Sequence, residues 1–309
     1  MTADTHGDTE PGTRFPGCEC DTSSAGGPRL EVQLQWHPGE AMPEDDLSAV
    51  LTNVAADARP VTRTKIANSP ETRAFLDIGL LLLCDDLLDH RGPDLMDDHD
   101  AGTRLFAGLS QARLIERAEH EDARREHPRM LTVGMFRDRW RYKSRYTEDL
   151  IAYLLRPALV EHTIHDVAEA AKGLPEDLPF ADLVRQMVER VMAVTLDDQL
   201  WGLRTVVWVA LPNHPRVQMF LKAQYEEWIA YWTVLYERLA GRFGLQLRPE
   251  YTWHDVAEVF HALAEGARLR ARATGSATAL SSGDNVLVGA INMLLPGLFL
   301  NPEATTRKP

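Results

Sequence analysis

This chain has few cysteines and no long apolar run. After residue 70 it also has few patterns typical of β-strands. Three cysteines in 309 residues, Cys18, Cys20 and Cys84, are too few for a disulfide framework and favour a reducing, cytoplasmic compartment. There is no uninterrupted apolar run of about 18 residues, so we expect no membrane-spanning helix and no membrane partner. The N-terminal Met-Thr-Ala-Asp has neither a basic region nor an apolar core, so no signal peptide is expected.

The spacing of apolar residues from Pro70 onward predicts an all-α protein, because they recur every three or four positions, as in Phe75, Ile78 and Leu82. Residues 1–28 are rich in Thr, Gly, Ser, Pro and Asp and have almost nothing to bury. We therefore expect the following organisation: a disordered tail over 1–28, an unassigned N-terminal extension over 29–69, a helical domain over 70–156, a second helical domain over 157–300 and a short tail over 301–309.

Local signals predict where several helices begin. The segment Asp46–Ala58 is compatible with a short helix, and Thr132 is a suitable N-cap for the short helix that follows it. Asn213 is predicted to cap a helix that has Pro215 in its first turn. The segment Thr252–Asp255 resembles a capping box at the start of an inward-facing helix.

A basic island stands out in an acidic chain. The formal net charge is −13, yet the segment from Arg129 to Arg145 has six basic residues and a single acid, Asp138. Phosphate contact is the favoured interpretation, since the field that acts on a partner is local. The alternative is a solvated surface unrelated to nucleic acid, and residues 71–103 are strongly acidic, with nine acids against two arginines.

The segment 131–143 has the composition that a DNA recognition helix needs. Gly134, Phe136 and Trp140 provide a thin apolar side that can rest on supporting helices. The other side would contact base edges and phosphates, and the start of the next helix would hold a phosphate. The candidate DNA-binding residues are Thr132, Val133, Met135, Arg137, Arg139, Arg141, Tyr142 and Lys143.

The helix order over roughly residues 70–300 resembles the TetR (tetracycline repressor-like) family. The specific part of the resemblance is a motif of the form Ser/Thr-x-Gly-x-Phe/Tyr-x-x-x-Phe/Trp followed by a turn and a basic residue. The matching positions are Thr132, Gly134, Phe136, Trp140 and Lys143. This chain departs from the pattern by twelve residues, Glu119–Met130, between the presumed second and third helices. They either lengthen the second helix or form a wing.

The resemblance implies a transcriptional regulator rather than an enzyme, with no cofactor and no metal. A helix-turn-helix domain would bind double-stranded DNA, and a C-terminal domain would bind a small-molecule effector and form a homodimer through helices 253–270 and 285–299. An apolar or aromatic effector would fit a cavity walled by aromatic residues, although ordinary core packing explains each of them equally well. The candidate ligand-binding residues are Trp201, Trp208, Trp228, Tyr231 and Trp232.

Two alternatives remain open. Asp85, Asp86 and Asp89 form an Asp-Asp-x-x-Asp pattern that can hold Mg²⁺ and a pyrophosphate, as in the all-α terpene cyclases. The second metal motif expected of such an enzyme is not found downstream, so an acidic exposed helix face is favoured. The other alternative is a degenerate TetR-like dimer that binds a protein partner instead of DNA.

Overall fold

The computed structural model describes residues 45–88, 105–123, 130–159, 161–162, 164–165 and 177–301. All of them belong to one compact unit that spans residues 36–309. The predicted tail over 1–28 and Asp89 of the acidic pattern lie outside the described residues.

The described part of the chain contains helices, turns and two isolated β-bridges but no strand, which confirms the all-α prediction. None of these helices combines the length and the apolar character needed to cross a membrane. The helices are α1 Pro60–Ala67, α2 Pro70–Leu87, α3 Gln111–Asp122, α4 Val133–Arg139, α5 Lys143–Leu154, α6 Phe180–Asp197, α7 Gln199–Ala210, α8 Pro215–Arg242, α9 Trp253–Thr274 and α10 Val286–Leu298.

Two of the predicted caps are confirmed and one is wrong. The Thr132 hydroxyl accepts the Met135 N–H at 3.2 Å at the start of α4. Thr252 and Asp255 form a reciprocal capping box at the start of α9. The prediction for Asn213 is wrong, because His214 is the N-cap residue of α8 and makes no side-chain capping bond.

The helix predicted over Asp46–Ala58 is also wrong, because this segment forms turns. Leu47 and Leu51 are fully buried within it. The backbone N–H groups of Thr52 and Asn53 each donate to the Asp149 carboxylate at 3.0 Å. Since a side chain of α5 satisfies these donors, the segment needs no helical hydrogen bonds of its own.

An aromatic cluster joins α2, α4 and α5. It consists of Phe75, Phe136, Trp140 and Tyr146, all 0% or 1% exposed. Their ring centroids lie 5.0–6.1 Å apart in edge-on or tilted arrangements, which aromatic pairs prefer. The Tyr146 hydroxyl donates to the Phe75 carbonyl at 2.7 Å, so the cluster has its one phenolic group satisfied. These contacts fix the short helix α4 against α2 and α5.

Replacing Gly79 of α2 by alanine is expected to destabilise the protein. A Cβ at this position would overlap the Tyr146 hydroxyl and would lie 3.1 Å from both methyl carbons of Leu150. Overpacking of this kind costs about 1–3 kcal/mol and outweighs the gain of about 1 kcal/mol in helix propensity. Chemical denaturation would measure the free energy of unfolding.

The matched control is Gly241→Ala in α8, where no atom lies within 4 Å of the added Cβ. We expect this variant to be stabilised by up to about 1 kcal/mol, since only the propensity gain remains. Equal effects of the two substitutions would contradict the packing of α5 on α2.

The C-terminal helices enclose a second core, in which α9 packs against α6, α8 and α10. Helix α7 contributes to the core that contains the aromatic cluster and to a separate tryptophan cluster. Leu203 and Val207 on one side of α7 are fully buried in the core that contains the aromatic cluster. Trp201 on its other side packs with Trp228 and Trp232 of α8.

Candidate functional site

The predicted basic segment is described from residue 130 onward, and its positive charge lies on α4, at the start of α5 and on the residues between them. We define the basic surface as Arg137, Arg141 and Lys143, which are exposed, together with the partly exposed Arg145. Phe136 and Trp140, four residues apart, point inward and belong to the aromatic cluster. Arg137 and Asp138, which follow Phe136, face solvent.

Two arginine side chains lie close to the exposed ring of Tyr142. The guanidinium carbons of Arg141 and Arg145 both lie 5.7 Å from its centroid. The ammonium group of Lys143 donates to the Ala107 carbonyl at 3.1 Å, and partial burial lowers its pKa. These contacts limit the conformations of long cationic side chains on the basic surface.

The predicted DNA-contacting residues do not all share this surface. Thr132 and Val133 are exposed beside it. Met135 is half-buried and packs against the core. The guanidinium of Arg139 donates to Ser69 and Glu71 near the start of α2, at 3.1 Å each. Arg139 therefore braces α4 against α2, and we assign it a supporting role.

Part of the inserted segment between the presumed second and third helices lengthens α3. Residues 119–122 continue this helix to Asp122. The Asp122 carboxylate accepts the Met130 N–H at 3.0 Å, so the chain on either side of residues 124–129 is held together. Residues 124–129 themselves lie outside the described residues.

The acidic pattern of α2 is paired with α3. Asp86 accepts two hydrogen bonds of 2.9 Å from Arg113, and Asp85 lies 3.0 Å from the Arg117 guanidinium. Among the described residues, no group of three or more His, Cys, Asp or Glu side chains is placed to hold a metal ion. The two carboxylates thus join helices, and the geometry gives the cyclase hypothesis no support.

An apolar cavity of about 100 Å³ lies among α6, α7, α8, α9 and α10. Three of the five predicted ligand-binding residues, Trp201, Trp228 and Trp232, line it. Trp208 lines a smaller pocket that shares Trp201 with this cavity. Tyr231 is not part of the wall and instead contacts the edge of Trp232, with ring centroids 5.4 Å apart.

The cavity wall also includes a charged residue that the sequence analysis missed, Arg268. Arg268 and Trp228 line the cavity, and the Nε and Nη2 atoms of Arg268 and the indole Nε1 of Trp228 are buried without a hydrogen-bond partner. Arg268 follows Phe260 and Ala264 at four-residue intervals, so the helical period already places it on the inward side of α9. Burial lowers the pKa of Arg268 to about 10, so it remains a cation at neutral pH.

Comparison with models of known protein families gave no match, and comparisons with curated proteins and with solved structures gave none either. The fold class therefore rests on the helices themselves, and the basic surface and the cavity are the features of this structure that bear on function.

Proposed function

We propose that this protein is a homodimeric DNA-binding transcriptional regulator, and that a small-molecule effector bound in the cavity relieves its binding to the operator. The observation that carries the proposal is the basic surface: Arg137 on the short helix α4, followed by Arg141, Lys143 and Arg145 up to the first turn of α5, with a buried aromatic cluster that holds the two helices in place. A rigid support is what a side chain needs in order to read a base edge in the major groove.

Local charge supports nucleic acid as the partner. Among the described residues, the exposed Asp138 adjoins the basic surface in sequence, and the Asp57 carboxylate is 3.9 Å from the Arg145 guanidinium. The four cations outnumber them, in a chain whose net charge is −13. Since charges separated by more than about 10 Å are largely screened at 0.1 M salt, the local excess governs the contact.

The packing of α7 supports coupling between the cavity and the basic surface. Leu203 packs in the core with α2, while Trp201, two residues earlier, lines the cavity. At the start of α8, Arg216 donates to the Val50 carbonyl at 2.9 Å and lies 3.7 Å from Asp149 of α5. An effector that displaces α7 or α8 would thereby displace the helices that carry the basic surface.

Homodimerisation through α9 and α10 belongs to the same proposal. Leu269 of α9 and Met293 of α10 are 55% and 72% exposed, which leaves apolar area for a partner helix. Two recognition helices in a dimer must match half-sites about 34–36 Å apart, so a small change in their separation releases the DNA.

Fluorescence anisotropy of the full chain on DNA fragments that flank its own gene, at several salt concentrations, tests the proposal. We expect Arg137→Ala to weaken binding by about 1–3 kcal/mol and to reduce sequence selectivity, as for the loss of a base contact. Lys143→Ala is expected to weaken binding to all sequences alike and to lower the salt slope by about 1, as for the loss of a phosphate contact.

Lys222→Ala is the matched control, because the Lys222 side chain on α8 is 80% exposed and lies outside the basic surface. Its binding should equal that of the unchanged protein. A folded protein that binds DNA only at the non-specific level would contradict the proposal and favour the alternative in which the dimer binds a protein partner.

A further inference from the structure

Two buried arginines lie against the same indole ring at the cavity. Arg268 of α9 and Arg204 of α7 are only 6% and 5% exposed. Their guanidinium carbons lie 4.9 and 5.7 Å from the ring centroid of Trp201. Trp201 lines both the apolar cavity, which Arg268 also lines, and the adjoining pocket, which Arg204 lines. The two cations therefore lie at the boundary between these spaces.

Both arginines are incompletely hydrogen-bonded in the described part of the chain. The Nε and Nη2 atoms of Arg268, and the Nε and Nη1 atoms of Arg204, have no hydrogen-bond partner there. A buried charge without a partner is strongly unfavourable, and charged groups of this kind are normally paired. An occupant of the cavity that accepts hydrogen bonds from Arg268, which lines it, would remove the penalty at that residue.

The nearest acids are engaged elsewhere. Glu265 attracts Arg268 from a distance, but its carboxylate accepts the Tyr225 hydroxyl at 2.6 Å and lies 3.6 Å from the His261 ring nitrogen. Asp198, which attracts Arg204 electrostatically, caps α7 by accepting the Leu200 N–H at 2.8 Å. Both carboxylates therefore already have hydrogen-bond donors of their own.

Further positive charge surrounds the pair. Arg272 repels Arg268, and Arg156 repels Arg204. Among the described residues, those that line the apolar cavity include no aspartate or glutamate, and Glu265 lines the adjoining pocket. A cationic ligand would thus be repelled, and a neutral apolar ligand would leave the guanidinium donors without acceptors.

We propose that the cavity binds an amphipathic organic anion, with a carboxylate or similar oxyanion headgroup on Arg268 and an apolar body against Trp201, Trp228 and Trp232. The free Nε1 of Trp228 supplies a further donor to the headgroup. A guanidinium matches a carboxylate in geometry as well as charge, because it can donate two parallel hydrogen bonds. This inference rests on the proposed function in one respect: the anion is taken to be the effector that relieves operator binding.

Intrinsic tryptophan fluorescence of the full chain tests the headgroup, since three tryptophans line the cavity. The probes are decanoate, 2-naphthoate, decanol and decyltrimethylammonium, all below their micelle concentrations. We expect at least one of the two carboxylates to bind about tenfold or more tightly than decanol, as for a charge-assisted hydrogen bond, and the ammonium probe not to bind. Equal or tighter binding of decanol overturns the proposal, as does failure of both carboxylates.

Arg268→Met tests the residue, and Arg270→Met, at an exposed position on the same helix, is its control. The Arg268 variant is expected to lose the preference for carboxylate over decanol, whereas the control retains it. In the absence of ligand, Arg268→Met should raise the Tm, because it removes an unpaired buried charge and keeps the apolar volume. A lowered Tm together with an unchanged preference for carboxylate would show that Arg268 serves packing alone.

These binding measurements contain no DNA. The anion site and the DNA-binding function can therefore be contradicted independently of each other. A carboxylate that binds through Arg268 to a protein without operator affinity would contradict the DNA-binding function alone. An operator complex that both carboxylates leave unchanged, in a protein that binds neither of them, would contradict the anion site alone.

Discussion

Replacing Trp140 by alanine is expected to lower the free energy of unfolding by about 3–5 kcal/mol, the range for buried large aromatic side chains. Trp140 is 0% exposed and contacts the rings of Phe75, Phe136 and Tyr146. Its indole Nε1 also donates to Asp149 at 3.0 Å. The substitution therefore removes ring contacts and a buried hydrogen bond together. Urea denaturation followed by circular dichroism would measure the loss.

Tyr142→Ala is the control for this prediction, because Tyr142 is two residues away and 53% exposed. Its expected effect is within about 0.5 kcal/mol, as for most surface substitutions. If Trp140→Ala were as mild as the control, α4 would not depend on the aromatic cluster, and the support proposed for the basic surface would be lost.

Removing the Asp149 carboxylate is expected to have an effect of similar size. The side chain is 0% exposed and accepts hydrogen bonds from the backbone of Thr52 and Asn53 and from Trp140. It also lies 3.7 Å from the Arg216 guanidinium. Burial raises the pKa of Asp149, and the hydrogen bonds from Trp140 and Asn53 oppose this shift. One acid thus satisfies donors from three separate parts of the chain.

Asp149→Ala would leave these donors and Arg216 without their acceptor, which for a buried pair costs about 3–5 kcal/mol. Thermal denaturation at pH 7 would measure the change in stability. The exposed Asp138 of α4 provides the control, since Asp138→Ala removes a carboxylate from the surface and should be nearly neutral. A small effect of Asp149→Ala would mean that segment 45–58 is held mainly by its buried leucines.

Much of the basic surface could be predicted because helical periodicity is a local property. Phe136 and Trp140 are four residues apart, so both had to face the same side of α4. Arg137 then had to lie on another side, where it is exposed. Thr132 could be recognised as a cap because its partner, the Met135 N–H, is only three residues away. The capping box at Thr252 could be predicted for the same reason, because Thr252 and Asp255 are only three residues apart.

The role of Arg139 could not be predicted in this way. It has the same charge as Arg137 and is only two residues further along α4, yet its guanidinium contacts Ser69 and Glu71, which are 70 and 68 residues away. The turns of segment 45–58 could not be predicted for the same reason. The acceptor of the Thr52 backbone N–H group is Asp149, almost 100 residues further along the chain. Such partners are decided by packing and leave no periodic signal.

The sequence by itself determined the all-α class, the starts of α4 and α9 and the inward side of α4, since these depend on residues within one or two turns of each other. The helical period also puts Arg268 on an inward face, although the sequence analysis did not single it out. Only the tertiary structure decided that Arg268 and Arg204 would meet at one indole ring, with guanidinium nitrogens that no acid of the described residues pairs. That outcome depends on how several helices pack together, because a buried charge is satisfied or left unpaired by its neighbours in space.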